Sequence, residues 1–286
     1  MPELPEVETV RVGLSRLIIG RTVRSATSDT PKSFPNAAAD VAQFLIGATI
    51  TDVRRRAKVL LIELSSGYTL VVHLKMTGQL VYVGAERFGA GHPSDSLIGA
   101  LPDTSTRVII EFDDASNLYF NDQRKFGWMR LIPTIEVPNL TFMQKVGPEP
   151  LHDDFTAVQF RERFARRPNT SIKAALLDQT VVAGVGNIYA DESLWGAYIH
   201  PMRLVKTITG QEFEALYTEL REVMNLAIQK GGSSNHTYIN AEGKKGSYMD
   251  FARVFRREGL PCPRHPDVMI VKLKVAVPIS VRYVRC

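Results

Sequence analysis

Cysteine is nearly missing: Cys262 and Cys286 are the only two in 286 residues. Two cysteines near one end cannot build a disulfide framework, so the small stapled secreted class is excluded and a reducing compartment fits. Long apolar runs are missing as well. No stretch reaches eighteen apolar residues, and no transmembrane helix is expected. The opening MPELPEVETV carries three glutamates and lacks the apolar core of a signal peptide. Internal repeats are absent, and so are the aromatic-rich signatures of common RNA-binding modules. The expected setting is cytoplasmic, without membrane association.

What is present is a mixed, modestly basic chain. It is 44% hydrophobic and 23% charged, with net charge +5 and a pI near 9.2. Such a balance suits a polyanionic partner, and equally an ordinary basic soluble protein. The length allows two medium domains.

The pattern along the chain changes once, and clearly. Val7, Val10, Leu14, Leu17 and Ile18 recur at helical spacing over residues 5–19, and Gly20 is a stop. Stretches rich in β-branched residues follow at 48–54, 58–64, 69–73, 107–112 and 117–120, with Ser65-Ser66-Gly67 as a hairpin turn. Residues 84–103 hold several Gly, Pro and Ser without a period and read as a flexible loop. Gly147-Pro148-Glu149-Pro150 excludes helix and inner strand, and makes the best domain boundary. Helical patterns then cover 155–166, 171–178, 187–195 and about 210–230. Gly231-Gly232-Ser233-Ser234 opens a loop, and 268–275 with 279–284 are expected to pair as a hairpin.

The first chemical feature is Pro2-Glu3-Leu4-Pro5-Glu6. A small residue after Met1 permits removal of the initiator methionine, and Pro2 then presents a secondary amine. An α-amino group has a pKa of roughly 8, about two units below lysine, so free amine exists at neutral pH. Such an amine attacks an aldehydic sugar carbon to form a Schiff base, and Glu3 beside it moves protons. The bland alternative is a proline that shapes a turn. Further along, Gly184 and Gly186 permit positive φ and close backbone approach, and Asn187 then opens a helix whose N–H groups can meet a phosphate. Lys173 lies just upstream. Taken alone, that segment is also a glycine-shaped turn between packed helices.

Five ordered segments decide between these readings: MPELPEVETV; Arg55-Arg56-Ala57-Lys58 before VLLIEL; HLKMTG at 73–78; DQRKFG at 122–127; and DQTVVAGVGNIYADE at 178–192. Together they resemble the formamidopyrimidine-DNA glycosylase family (Fpg, or MutM), from residue 2 to about residue 275. The resemblance implies an α+β multi-domain fold: an N-terminal β-sandwich with a leading helix (2–146), a linker (147–154), a helix–two-turn–helix domain (155–247) and a C-terminal β-hairpin finger (248–286). It implies a monomer that binds damaged double-stranded DNA between its domains. The activity implied is bifunctional glycosylase and AP lyase: excision of oxidised purines through a Schiff base on Pro2, then β,δ-elimination. Glu3 and Lys58 complete the implied catalytic set. Met76, Arg124 and Phe126 would fill the gap left by an extruded nucleotide, with Arg124 on the orphaned base. Lys173 and Asn187 would meet phosphate, and His236 would belong to the loop over the flipped base; a core methionine and a solvated histidine are the bland readings of Met76 and His236.

The finger departs from that family. Zinc is the family norm, held by two Cys-x-x-Cys pairs. Here Cys262-Pro263-Arg264-His265 stands for the first pair, and Tyr283 and Cys286 align with the second. Cys262, His265 and Cys286 are a partial set of three, and a structural zinc site takes four good ligands. The arginine expected at the hairpin turn falls at Pro278, with Arg282 four residues later. Resemblance ends after Ala276, whether by natural variation or a frameshift. Three alternatives stay open: an endonuclease VIII-like enzyme for oxidised pyrimidines, a DNA-binding protein without catalysis, and a basic RNA-binding protein.

Overall fold

The structure, a computed structural model, describes residues 1–233, 247–275 and 281–285. The chain forms two compact units, residues 1–144 with 230–247, and residues 145–229 with 248–286.

In the first unit, helix α1 (Leu4–Ile18) precedes strand β1 (Val23–Ser28) and a helical turn α2 (Ala38–Asp40). Strands β2 (Ile50–Arg56), β3 (Val59–Leu64), β4 (Tyr68–His73), β5 (Gly78–Val83), β6 (Arg87–Gly91), β7 (Thr106–Phe112), β8 (Asn117–Asp122) and β9 (Trp128–Pro133) follow. They make two antiparallel sheets, ordered β1-β7-β8-β5-β6 and β2-β3-β4-β9. One apolar core joins them: Val53, Leu60 and Ile62 of one sheet, Leu80, Val108 and Phe120 of the other, and Val7, Val10 and Leu14 of α1. The helical spacing read from the sequence therefore faces a sandwich. Gly13 makes the fit possible, because a Cβ there would lie 2.0 Å from the Phe88 ring. Any larger residue in mid-helix would push β6 away.

Four strands escaped the sequence reading, β1, β5, β6 and β9, and the expected flexible loop at 84–103 is corrected. It contains β6 and a 3₁₀ turn at Asp95–Leu97. The Arg87 guanidinium ties this stretch down by donating to the carbonyls of Leu97 at 3.0 Å, Ser96 at 3.1 Å and Gly99 at 2.7 Å. A glycine-bearing edge strand shows no alternation, and a long-range side-chain anchor leaves no local pattern.

The second unit is helical. A short α3 (Thr141–Lys145) straddles its start, and α4 (Ala157–Phe164), α5 (Ile172–Leu177), α6 (Asn187–Gly196) and α7 (Gly210–Gln229) follow. Phe160, Phe164, Phe213 and Tyr217 form the aromatic contact between α4 and α7. Gln179 organises the two turns between α5 and α6. Its amide donates to Leu177 O and Val185 O, and its carbonyl accepts Gly184 N–H at 3.0 Å. Gly184 has φ +80°, where a side chain would strain the backbone. The expected hairpin pairs as β10 (Val271–Val275) with β11 (Val281–Arg285), Val271 opposite Arg285; residues 276–280 lie outside the described residues.

Glu192 fastens the finger segment to α6. It is fully buried, and its carboxylate accepts the backbone N–H groups of Arg253 at 2.8 Å, Val254 at 2.9 Å and Phe255 at 2.7 Å. The Arg253 guanidinium lies 3.6 Å away and balances the charge. Glu192→Ala would strand three buried backbone donors, while Arg253 keeps the Glu219 carboxylate at 3.0 Å, an expected loss of about 3–5 kcal/mol. Chemical denaturation of the full chain measures it, and a loss under about 1 kcal/mol would show the carboxylate to be incidental.

Candidate active site and nucleic-acid contacts

The N-terminal end of α1 is crowded with charge. Pro2 is buried, and Glu3 and Glu6 are each 3% exposed. With Met1 attached the Pro2 nitrogen is an amide; its removal leaves a secondary amine beside Glu3. Glu6 Oε2 accepts the Glu3 N–H at 2.8 Å, which fixes the first turn of the helix. The other oxygen accepts Ser233 N–H at 2.8 Å. The chain passes so close there that a Cβ on Gly232 would come within 3.3 Å of Glu6, and its φ of +83° suits glycine alone. Glu6 thus holds Ser233; His236 lies outside the described residues.

Lys58 comes to the same place from the β2–β3 hairpin, where Arg56 pairs with Val59 and Ala57 takes φ +52°. Its side chain is buried. That desolvation lowers its pKa from the ordinary lysine value, while the Glu3 and Glu6 carboxylates oppose the shift. A buried lysine partly relieved of its proton preference suits proton transfer as well as charge stabilisation. The structure therefore gathers Pro2, Glu3 and Lys58 in one unit. Next to them His73, at the end of β4, is pushed down to about 3 by burial first and by the Lys75 and Lys58 cations second. The neutral ring accepts Lys75 N–H at Nδ1, 3.1 Å, which places its proton on Nε2.

Met76, Arg124 and Phe126 stand on two neighbouring turns of the same unit. Met76 is 37% and Phe126 45% exposed. The turns share an organiser that the sequence reading passed over, the fully buried Asp122. Its Oδ2 accepts Phe126 N–H at 2.8 Å and Gly127 N–H at 2.6 Å. Oδ1 accepts Arg124 N–H at 3.2 Å and the Thr77 hydroxyl, whose oxygen also accepts Arg124 N–H at 3.1 Å. Lys75 and Lys125 both adopt positive φ, and the turns project outward on either side of Asp122. The Arg124 guanidinium lies over the Phe126 ring at 4.8 Å, and the Lys32 ammonium is 5.7 Å from its centroid. An exposed aromatic flanked by cations is a stacking surface for a base beside a phosphate. An aspartate heading a turn, DQRKFG, was the available signal for Asp122.

In the second unit Asn187 is exposed at the first turn of α6, as a phosphate contact requires. The expectation for Lys173 is corrected. It is 0% exposed, and its ammonium lies 2.6 Å from the Asp191 carboxylate. A phosphate cannot reach a nitrogen sealed inside an ion pair between α5 and α6. Spacing alone could not tell an inward lysine from an outward one.

The finger's metal donors are few. Cys262 Sγ lies 4.0 Å from His265 Nδ1, and Cys286 lies outside the described residues. Among the described residues no group of three His, Cys, Asp or Glu is placed to hold a metal. Cys262 is disulfide-bonded, so its sulfur is not a thiolate ligand, and the described residues of the expected set do not fit the ion. Arg264, between them, is instead clamped with its guanidinium carbon 3.6 Å from the Trp195 ring centroid and 3.5 Å from that of Tyr198. It also donates to Gly196 O at 3.1 Å.

A β-sandwich with a leading helix, and a separate helical unit with a glycine turn between two helices, define an α+β class of two-unit protein. The chain belongs to the formamidopyrimidine-DNA glycosylase family: the family's N-terminal domain matches residues 1–129 and its H2TH domain residues 146–238. The formamidopyrimidine-DNA glycosylase of Desulforamulus reducens is 40% identical over 279 residues, 96% of this chain and 95% of that protein. That of Lactiplantibacillus plantarum is 39% identical over 276 residues, with 96% and 95% covered. Lactococcus lactis Fpg, crystallised with DNA containing N7-benzyl-Fapy-dG, is 33% identical with TM-score 0.84, covering 99% of this chain and 97% of that one. The same protein with DNA containing an oxidised pyrimidine gives TM-score 0.83 at 33% identity, covering 99% and 98%. Among the described residues no helix is long and apolar enough to cross a membrane.

Two measurements follow from this geometry. Lys173→Ala should cost about 3–5 kcal/mol by removing one partner of a buried ion pair, while the salt dependence of DNA binding keeps its slope. A slope reduced by one phosphate with unchanged stability would restore the contact role. His73 is held neutral, with its pKa well below the ordinary value of 6.5. Its contribution is therefore present above pH 6.5 and is lost as pH falls toward 3, where the unfolded chain binds a proton the folded one refuses. The stability of His73→Asn should fall less steeply across that window, by about one proton's slope. Parallel curves for the two proteins would remove the histidine from the acid response.

Proposed function

We propose that the chain is a bifunctional DNA glycosylase and AP lyase that removes oxidised purines, 8-oxoguanine and formamidopyrimidines, from duplex DNA. The observation that carries this reading is the burial of Pro2, Glu3 and Lys58 together at one helix end in a member of this family. After Met1 is removed, the Pro2 amine attacks C1′ of the damaged nucleotide. The bond from C1′ to the base breaks, and the base leaves with a proton. Glu3 protonates the ring oxygen as the sugar opens, giving an iminium between Pro2 and C1′. Loss of the C2′ proton then expels the 3′ phosphate in β-elimination. A second, δ-elimination expels the 5′ phosphate, and hydrolysis returns the free amine. Lys58 stabilises the flanking phosphate and assists strand cleavage. Met76 and Phe126 occupy the space of the extruded nucleotide, Arg124 reads the opposite base, Asn187 meets the backbone, and His236 belongs to the loop over the base. The protein acts as a monomer on damaged double-stranded DNA, in the bacterial cytosol or nucleoid. Its finger stands with less than stoichiometric zinc.

Oxidised pyrimidines are the second substrate class to weigh, because the similar Lactococcus lactis protein was crystallised with such DNA. Borohydride trapping tests both points. Protein processed to start at Pro2 should become covalently linked to a duplex with 8-oxoguanine opposite cytosine, faster than to one with thymine glycol. Protein that retains Met1, verified by mass, should not be trapped. Equal trapping of the Met1-bearing form would overturn Pro2 as nucleophile, and a preference for thymine glycol would move the chain to the pyrimidine branch.

A further inference from the structure

We propose that Arg55 is a positioning residue, a strut that sets Lys58 against the N-terminal end of α1. The inference rests on the reading of Pro2 and Lys58 just given. Lys58 sits in a two-residue hairpin turn, and the ladder between β2 and β3 does not by itself fix how far that turn leans toward the helix. Arg55 supplies a direct restraint on it. Its Nε donates to Glu8 Oε2 of α1 at 2.9 Å, and its Nη1 donates to the carbonyl of Ala57 at 2.8 Å. One planar guanidinium thus holds the helix on one edge and the residue before Lys58 on another. Glu8 is itself held: its second oxygen accepts Arg11 Nε at 2.8 Å. Burial works against its ionisation, yet the hydrogen bonds from Arg11 and Arg55 prevail and keep the carboxyl below the usual range.

The restraint acts where the backbone most needs one. Ala57 takes φ +52°, which a residue with a Cβ adopts only when its surroundings insist. The Arg55 donor fixes the carbonyl of that same residue. The side chains of Arg55 and Glu8 are only 11% and 17% exposed, so this arginine is directed inward. Its neighbour Arg54 pairs instead with Glu63 across the sheet, at 57% exposure. Glu8 stands five residues beyond Glu3 on a helix that begins at the proposed nucleophile. Helix, carboxylate, guanidinium and turn carbonyl therefore form one chain of contacts between the segments that carry the two amines. Small misplacements of a reacting group cost rate far more than binding.

The test uses full-length protein processed to Pro2: Arg55→Met, Arg55→Lys, Glu8→Ala and the Arg55→Met/Glu8→Ala double variant. Two quantities are compared at a temperature where all are folded. One is the single-turnover rate of borohydride trapping on an abasic-site duplex; the other is the Kd for a duplex with a tetrahydrofuran site. Arg55→Met should slow trapping roughly 10–100-fold and change Kd less than about threefold. Arg55→Lys should not restore the rate, because one ammonium on a flexible stem cannot span both acceptors. The double variant should be no slower than Arg55→Met, since both changes break the same link. If Arg55→Met fails to fold, Glu8→Ala carries the same comparison. A trapping rate equal to wild type, rate and affinity falling in proportion, or additive losses in the double variant would each overturn the strut. Wild-type protein that does not trap would overturn the Pro2 reading beneath it, a distinct result.

Discussion

An ammonium and two carboxylates taken out of water at the start of a helix form the constraint around which the first unit is built. Lys58, Glu3 and Glu6 are all buried, and none could be left there without partners, because an isolated buried charge costs several kcal/mol. Each neighbouring feature answers that demand. The Glu3 N–H binds Glu6, Ser233 closes over the other oxygen, and a tight hairpin brings the lysine in from the sheet. The sandwich behind supplies rigidity, since α1 shares one core with both sheets. Electrostatic necessity and the proposed catalytic use coincide: the same desolvation that demands partners also lowers the lysine's hold on its proton.

A second device recurs in both units. Buried side-chain acceptors catch backbone N–H groups that no helix or strand satisfies. Asp122 does so for the two turns that carry Met76, Arg124 and Phe126. Gln179 does so for the glycine turn before Asn187, and Glu192 for the segment entering the finger. Irregular backbone is what lets a protein project side chains or N–H groups toward a nucleic acid, and each unpaired group buried in such a turn is costly. One well-placed carboxylate settles two or three of them at once.

Side-chain contacts to α6 hold the segment that carries Cys262 and His265. Cys262 is disulfide-bonded, and among the described residues no group of three His, Cys, Asp or Glu is placed to hold a metal. The turn between Cys262 and His265 is pinned by Arg264 between Trp195 and Tyr198, with the Arg253 guanidinium also over the indole at 4.9 Å. Val254, Cys262 and Ile270 complete a small core with Trp195. Stacking of this kind is weaker than a metal site, and among the described residues this apolar cluster is small.

Much of this protein was legible in the amino-acid order. The helical spacing of Val7, Val10, Leu14, Leu17 and Ile18 and the shift to helices after the 147–150 segment follow from local patterns with a physical cause. Other features became visible only in three dimensions. Strand β6 has no alternation to read, and its anchor, Arg87, acts on carbonyls ten or so residues away. Lys173 looked like a phosphate contact until packing turned it toward Asp191. Asp122, Glu192 and Arg55 stood inside segments that were read correctly, yet their partners lie up to 63 residues distant. Amino-acid order sets period, turn chemistry and the supply of charges; which way a charged side chain faces depends on what the tertiary structure brings opposite it, because only there does the balance between desolvation and pairing exist.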